Sequence, residues 1–500
     1  MATVKEITTM CKEGQIKEAY ELAKSDMSQY PDDVWTQREL GWVLYYRLKT
    51  ASDNKDYQEM VAILDELTTL DMLSIPEDNL LYEKVLKQIS WYIYNNLIPS
   101  EIETPAKLST FFSRLRGFTF QPSEAYSSLL RSFLKGDNWS EMADFLDWWN
   151  LDNLTTEDYT PYVNQKGQRL MTTAERAFIA NSKALLRLND PERTNAFLPK
   201  LNALMEAHPE MIYPGYFYGK LLVSLGENAD ETLRVVVPFV RRKSSEFWAW
   251  QLLSDVFTTD TDQDKKLACL LRAVNGNTQE NFLGKIRIKL ATLFLQRNEF
   301  NRARHQIDKV VQCYYSQGWH LPFEIQQWIH EPWFNNATPD NTAPIDYMKI
   351  TDEILLEGTE EAIAIVTYCN PKLNKTTLVY GYKQELTQKL RFKAYKGSAF
   401  KINYVFDAQG NPKVIHGQKV KLPDDLSYAK KVEGTVSKRP ANPFAFLKID
   451  SIDDCYIPPE LVNEHKLSDG QQITSTIALC FNKKKSVWCW NCITIKKQKD

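Results

Sequence analysis

The side chains best suited to chemistry lie toward the C-terminal end of this 500-residue chain, and they are rings and cations. Phe444 and Phe446 are two residues apart, so an extended strand carries both on one face. Tyr456 follows ten residues later, on what reads as the next strand. Lys438, Arg439 and Lys448 flank these rings, and Lys483, Lys484 and Lys485 run together just before Trp488. An earlier β-rich stretch adds Tyr368, Tyr380 and Tyr382. Flat rings let bases stack, at about 1–3 kcal/mol per base, and the cations around them neutralise phosphates. The chemistry on offer is a grip on single-stranded nucleic acid. The same residues admit a plainer reading. A small barrel needs rings inside, so Phe446 or Tyr456 could be core, and the three lysines could form a solvated hairpin tip.

Catalysis finds no comparable constellation. The six histidines, at 208, 305, 320, 330, 416 and 465, form no HExxH or other metal pair. No P-loop and no Gly-x-Ser-x-Gly are present. Cys489 and Cys492 make one CxxC, but a structural zinc takes about four ligands. In an alternating strand these two would point to opposite faces. No enzyme, no metal and no cofactor are expected.

The net charge of −3 hides an asymmetry: residues 362–500 hold 23 Lys and Arg against 12 Asp and Glu, or +11, which leaves −14 for residues 1–361. A basic end on an acidic body suggests that the basic end meets phosphates. No apolar run approaches the roughly 20 residues of a membrane span. The start, Met1-Ala-Thr-Val-Lys-Glu-Ile, lacks a signal peptide's apolar stretch, so a cytoplasmic location is expected.

Residues 1–318 carry helical periodicity. Gly14 precedes Ala19 by five residues, Pro31 follows twelve after that alanine, and Leu40-Gly41 comes next. The spacing returns at Pro209 and Gly219, and again at Leu290-Ala291, Ala303, Ile307 and Val310. These segments resemble the tetratricopeptide repeat (TPR), a helix–turn–helix of about 34 residues whose stacked copies share one core. The resemblance implies an N-terminal α-solenoid with a concave face for a protein partner. Trp148, Trp149, Trp248 and Trp250 are expected to be core between helix pairs. Residues 319–350, with Pro322, Pro332, Pro339 and Pro344, read as a connector that packs on a neighbour through Trp328, Trp333 and Phe334. Beyond it the period becomes two, and two domains are expected at 351–424 and 425–500.

The second of these carries Gly434-Thr-Val436, Phe444-Ala-Phe446, Cys455-Tyr-Ile457 and Leu467-Ser-Asp-Gly470-Gln-Gln-Ile473. That order resembles the S1/cold-shock class of OB-folds, and residues 351–424 fit the same pattern more loosely. The fold expected is multidomain α plus β: a TPR-like α-solenoid followed by two small OB-fold barrels. The whole chain resembles bacterial TPR proteins ending in S1/cold-shock-like domains, of the kind associated with TOTE-type conflict systems. The resemblance implies RNA or single-stranded DNA as ligand and a role in defence or RNA-level regulation. The chain departs from the cold-shock pattern. Lys438-Arg439 stand where the first strand brings rings, Asn442-Pro443 replaces a Lys-Gly, and Pro458 replaces a His. Weaker base preference and stronger salt dependence follow. The function expected is a non-enzymatic adaptor binding single-stranded nucleic acid at one end and a protein at the other. The alternative is a scaffold whose barrels recognise protein.

Overall fold

A computed structural model describes residues 2–70, 79–97, 101–136, 138–390, 392–407, 409–450 and 452–496. The chain divides into two compact units, Met1–Thr342 and Ala343–Asp500.

The first unit is helical, and its helices pack in sequential pairs where small residues allow close approach. In the pair Ile16–Gln29 and Val34–Asp53, Ala19 and Ala23 are buried one turn apart against Leu40, Val43, Leu44 and Leu48. In the pair Tyr213–Leu225 and Ala229–Arg242, a Cβ on Gly219 would stand 2.7 Å from the Val236 side chain. Gly226, at φ +70°, ends the first helix of that pair in the left-handed conformation that glycine adopts freely. In the pair Gly284–Gln296 and Phe300–Gln317, Leu290 and Ala291 meet Ala303, Ile307 and Val310, all buried. The segment expected to be a connector contains the short helices Phe323–Trp328 and Pro332–Asn336, and Phe334 packs into the cluster of Ala291, Ile307 and Val310.

The middle of this unit is held by rings. Phe133 stacks on Phe145 at 4.3 Å, and Tyr126 stacks on Trp149 at 4.7 Å. The latter two exchange hydrogen bonds: the Trp149 indole N–H donates to the Tyr126 carbonyl and the Tyr126 hydroxyl to the Trp149 carbonyl, each at 3.1 Å. The expectation of core tryptophans holds for Trp149 and Trp250, which are buried, whereas Trp148 and Trp248 stay half-buried.

Among its described residues the second unit contains ten strands: β1 Glu360–Asn370, β2 Lys375–Gly381, β3 Gln384–Gln388, β4 Ala399–Phe406, β5 Pro412–Val420, β6 Ala429–Ser437, β7 Ala445–Ile449, β8 Ile452–Ile457, β9 Gln472–Asn482 and β10 Val487–Lys496. Strands β6 to β10 form a closed barrel of order β10-β8-β7-β6-β9, with a parallel β8–β10 contact and the helix Pro459–Glu464 between β8 and β9. Strands β1 to β5 form a sheet of order β3-β2-β1-β4-β5. This is the same sequential order, yet among the described residues no backbone ladder joins its edges. Gln388 bridges them instead. Its side-chain amide donates to the Val414 carbonyl at 3.2 Å and accepts the Val414 N–H at 3.1 Å, as a neighbouring strand would.

The two sheets share apolar contact. Ala364, Val366, Leu378 and Ile402 face the inside of the first sheet, while Ile365, Val379 and Ala399 pack with Tyr428, Ala478, Leu479 and Ile493 of the barrel segment. Strand β1 is therefore buried on both faces. This explains why Ala362 to Val366 is continuously apolar instead of alternating.

Gly434 of β6 sits where a Cβ would stand 2.5 Å from the Lys448 carbonyl oxygen of β7. Backbone cannot yield as a side chain can. Gly434→Ala is expected to destabilise the barrel by about 1–3 kcal/mol, read as faster amide hydrogen exchange across β6 and β7. Unchanged protection would refute this tight approach.

Candidate nucleic-acid interface

Alternation along β7 and β8 builds a ring face on the outside of the barrel. Ala445, Leu447, Cys455 and Ile457 point inward and are buried, which leaves Phe446, Lys448, Asp454 and Tyr456 outward. The register places Phe446 directly opposite Tyr456, and Phe444 stands just before β7. The ring centroids lie 5.6 Å apart for Phe444–Tyr456, 5.7 Å for Phe444–Phe446 and 6.1 Å for Phe446–Tyr456. All three rings are half-buried, so each keeps surface open to a partner. Asn491 of β10 is paired with Tyr456 and adds an amide beside the rings.

Cations enter from two loops. Residues 438–444 join the first barrel strand to the second, and residues 483–486 join the fourth to the fifth. On a barrel of this order, these loops and the face of the second and third strands are where oligonucleotides and oligosaccharides bind. Arg439 is exposed on the first loop. Lys438 beside it is tied down: its N–H donates to Asp469 at 2.8 Å and its ammonium to the Leu467 carbonyl at 3.1 Å. Lys483, Lys484 and Lys485 are exposed on the second loop, whose turn is set by the Asn482 side chain accepting the N–H groups of Lys484 and Lys485. Among the described residues, Arg439 and these three lysines form no ion pair, although Lys483 lies near enough to the Glu385 carboxylate to favour its charged form. Lys448 does form an ion pair, with Asp454.

The other expected contributors fall elsewhere. Trp488 is half-buried, packing on Phe481 at 5.3 Å and on the cluster shared by the two sheets. Tyr380 is buried inside the first sheet, edge-on to Tyr404. Tyr368 and Tyr382 are exposed, but Tyr368 lies opposite Thr377 on β2 while Tyr382 lies past the other end of that strand, so they form no shared face. A cleft of about 530 Å³ at the β1–β2 turn, lined by Lys375, Phe392, Lys393 and Tyr395, was not anticipated. The only sequence signal was the interleaving of rings and lysines at 392–396, which lies in a loop and has no strand period to mark it.

Chemistry of other kinds is not assembled. Cys492 faces the barrel core, its sulfur 3.6 Å from that of Cys455, while Cys489 is half-buried beside Asn491. The contact with Cys492, together with burial, pushes the Cys455 thiol up and holds it protonated. Among the described residues no group of three His, Cys, Asp or Glu could hold a metal, and no helix is long and apolar enough to cross a membrane.

A closed five-stranded barrel of this order, with a helix between its third and fourth strands, defines an OB-like domain. In agreement, residues 430–495 match the family model described as S1/CSD-like domain 2 of the TOTE conflict systems. Residues 212–352 match a second family model, Domain of unknown function (DUF7017). No curated protein matches the sequence.

The outward and inward positions on β7 should separate by mutation. Leu447→Ala is expected to cost about 2–5 kcal/mol, as truncations of buried leucine do, while Phe446→Ala costs about 1 kcal/mol. Denaturant midpoints of the two variants test this, and equal losses would place Phe446 in the core.

Proposed function

We propose that this chain is a non-enzymatic, cytoplasmic adaptor. Its OB-like end binds RNA or single-stranded DNA, and its helical unit, read as a TPR-like solenoid, holds a protein partner in a conflict-system or RNA-regulatory setting. The observation that carries the reading is coincidence of position. The outward rings Phe444, Phe446 and Tyr456 occupy the second and third barrel strands, and the unpaired cations Arg439 and Lys483–Lys485 occupy the two loops beside them. Rings at the centre and cations at the rim suit a strand whose bases stack while its phosphates are gripped. The likeness of residues 430–495 to an S1/CSD-like domain supports the same ligand. The protein-partner half rests on the paired helices and on the acidic charge of residues 1–361.

Single-stranded binding releases about 0.7 counterion per neutralised phosphate. Four unpaired cations therefore give a slope of log K against log salt of about −3 for the full chain and a labelled oligouridine, measured by fluorescence anisotropy. Replacing Lys483, Lys484 and Lys485 by Ala should leave a slope of about −1. No binding at low salt removes the reading in favour of a protein-recognising scaffold.

Asp454→Asn offers a test in the opposite direction. It keeps the shape of the side chain and releases Lys448 from its ion pair. Affinity for the same oligonucleotide should rise about two- to fivefold at low salt, and the slope should steepen by about 0.7. A variant that binds more weakly would mean that Asp454 itself touches the ligand.

A further inference from the structure

The helical unit contains a cavity of about 640 Å³ that the nucleic-acid reading does not use. Three helices build it. The helix Thr173–Leu188 presents Arg176, Ile179, Ala180 and Lys183, spaced three and four residues apart and hence along one face. The helix Tyr213–Leu225 presents Tyr213, Tyr216 and Phe217 by the same rule, and Trp248 enters from the helix Phe247–Val256. Lys135 closes one side.

The lining is unusual for this part of the chain. Residues 1–361 carry a net −14, yet among the described residues the cavity wall contains three cations and no carboxylate, and one of the three, Lys135, already donates to the Tyr94 carbonyl at 2.6 Å. Arg176 is exposed and has no ion-pair partner among the described residues. Two further ammonium groups lie over the rings, Lys220 at 5.1 Å from Tyr216 and Lys243 at 5.4 Å from Tyr213. The rings form a rigid wall: Tyr213 stacks on Trp248 at 6.1 Å, and Tyr216 meets Trp248 edge-on at 5.0 Å. All of these rings are half-buried, so the wall is fixed yet open.

We propose that this cavity binds a small organic anion carrying a flat ring, of the class of nucleoside mono- and diphosphates. The ring lies on the wall of Tyr216, Phe217 and Trp248, and the phosphate meets Arg176. The volume falls within the 300–1,000 Å³ of small-molecule sites. A long nucleic acid fits less well. The phosphates that it could not place in the cavity would run over an acidic unit, whereas a mononucleotide presents none there.

Isothermal titration calorimetry of the full chain tests this with AMP, ADP and UMP against adenosine and inorganic phosphate. One nucleotide per chain is expected, with adenosine and phosphate each at least about tenfold weaker. Arg176→Ala is expected to weaken binding by about tenfold or more, as loss of a charge-assisted contact does. It should leave the melting temperature and the oligouridine affinity unchanged, because Arg176 is exposed and unpaired. The proposal is overturned by the absence of nucleotide binding at millimolar concentration, or by full retention of binding in Arg176→Ala. It is equally overturned if Phe446→Ala abolishes nucleotide binding, which would place the nucleotide on the barrel. It also fails if an acidic, aromatic peptide binds with dependence on Arg176 while nucleotides do not.

Discussion

Burial of strand β1 on both faces is the constraint on which the rest of the second unit depends. One face closes over the interior of the first sheet, and the other brings Ile365, together with Val379 and Ala399, against Tyr428, Ala478, Leu479 and Ile493. The contact is anchored by a polar tie, the Tyr428 hydroxyl donating to the Ile363 carbonyl at 2.6 Å. The barrel residues in this cluster come from β9, β10 and the start of β6, and none comes from β7 or β8. The two strands carrying the ring face are thus the ones that the neighbouring sheet leaves free.

Electrostatics then divides the labour within the barrel surface. Of six cations placed beside the rings by sequence, Lys448 is offset by Asp454 and Lys438 is held by a backbone carbonyl. Arg439 and the 483–485 run remain to meet phosphates. These sit in loops, where a side chain can follow a flexible strand, while the rings sit on paired strands and are fixed. A surface of mobile cations around fixed rings grips backbone more than it reads bases.

Much of this barrel was legible in the sequence because strand period two assigns faces. Phe444 and Phe446 were on one face by spacing alone, and Cys489 and Cys492 on opposite faces. Which face looks outward was not legible, since rings serve equally as core or platform. The buried Ala445, Leu447, Cys455 and Ile457 decide it only in the folded barrel. Trp488 illustrates the limit. Its neighbours Lys483–Lys485 suggested the ligand face, but the docking of the first sheet claims the side of β10 on which it lies. Nothing local to residue 488 records that long-range contact. The open first sheet is a similar case, because Gln388 replaces a ladder with a side chain and leaves no periodic trace.

The tryptophans of the helical unit show how far hydrogen bonding sharpens such readings. Buried indoles need a partner for their N–H. Trp139 donates to the Ser109 hydroxyl at 2.9 Å, Trp149 to the Tyr126 carbonyl and Trp250 to the Ser244 carbonyl at 2.8 Å, and all three are buried. Trp148 and Trp248 have no such partner among the described residues, and both stop half-buried. Trp148 is then covered by Phe112, Phe120, Tyr126 and Phe145, which leaves it in the outer layer of the core. Trp248 meets Tyr213, Tyr216 and Phe239 and borders the cavity with its N–H unspent. Adjacent tryptophans that look alike in sequence are therefore separated by one acceptor: where the fold supplies it the ring is buried, and where it does not the ring stays half-buried.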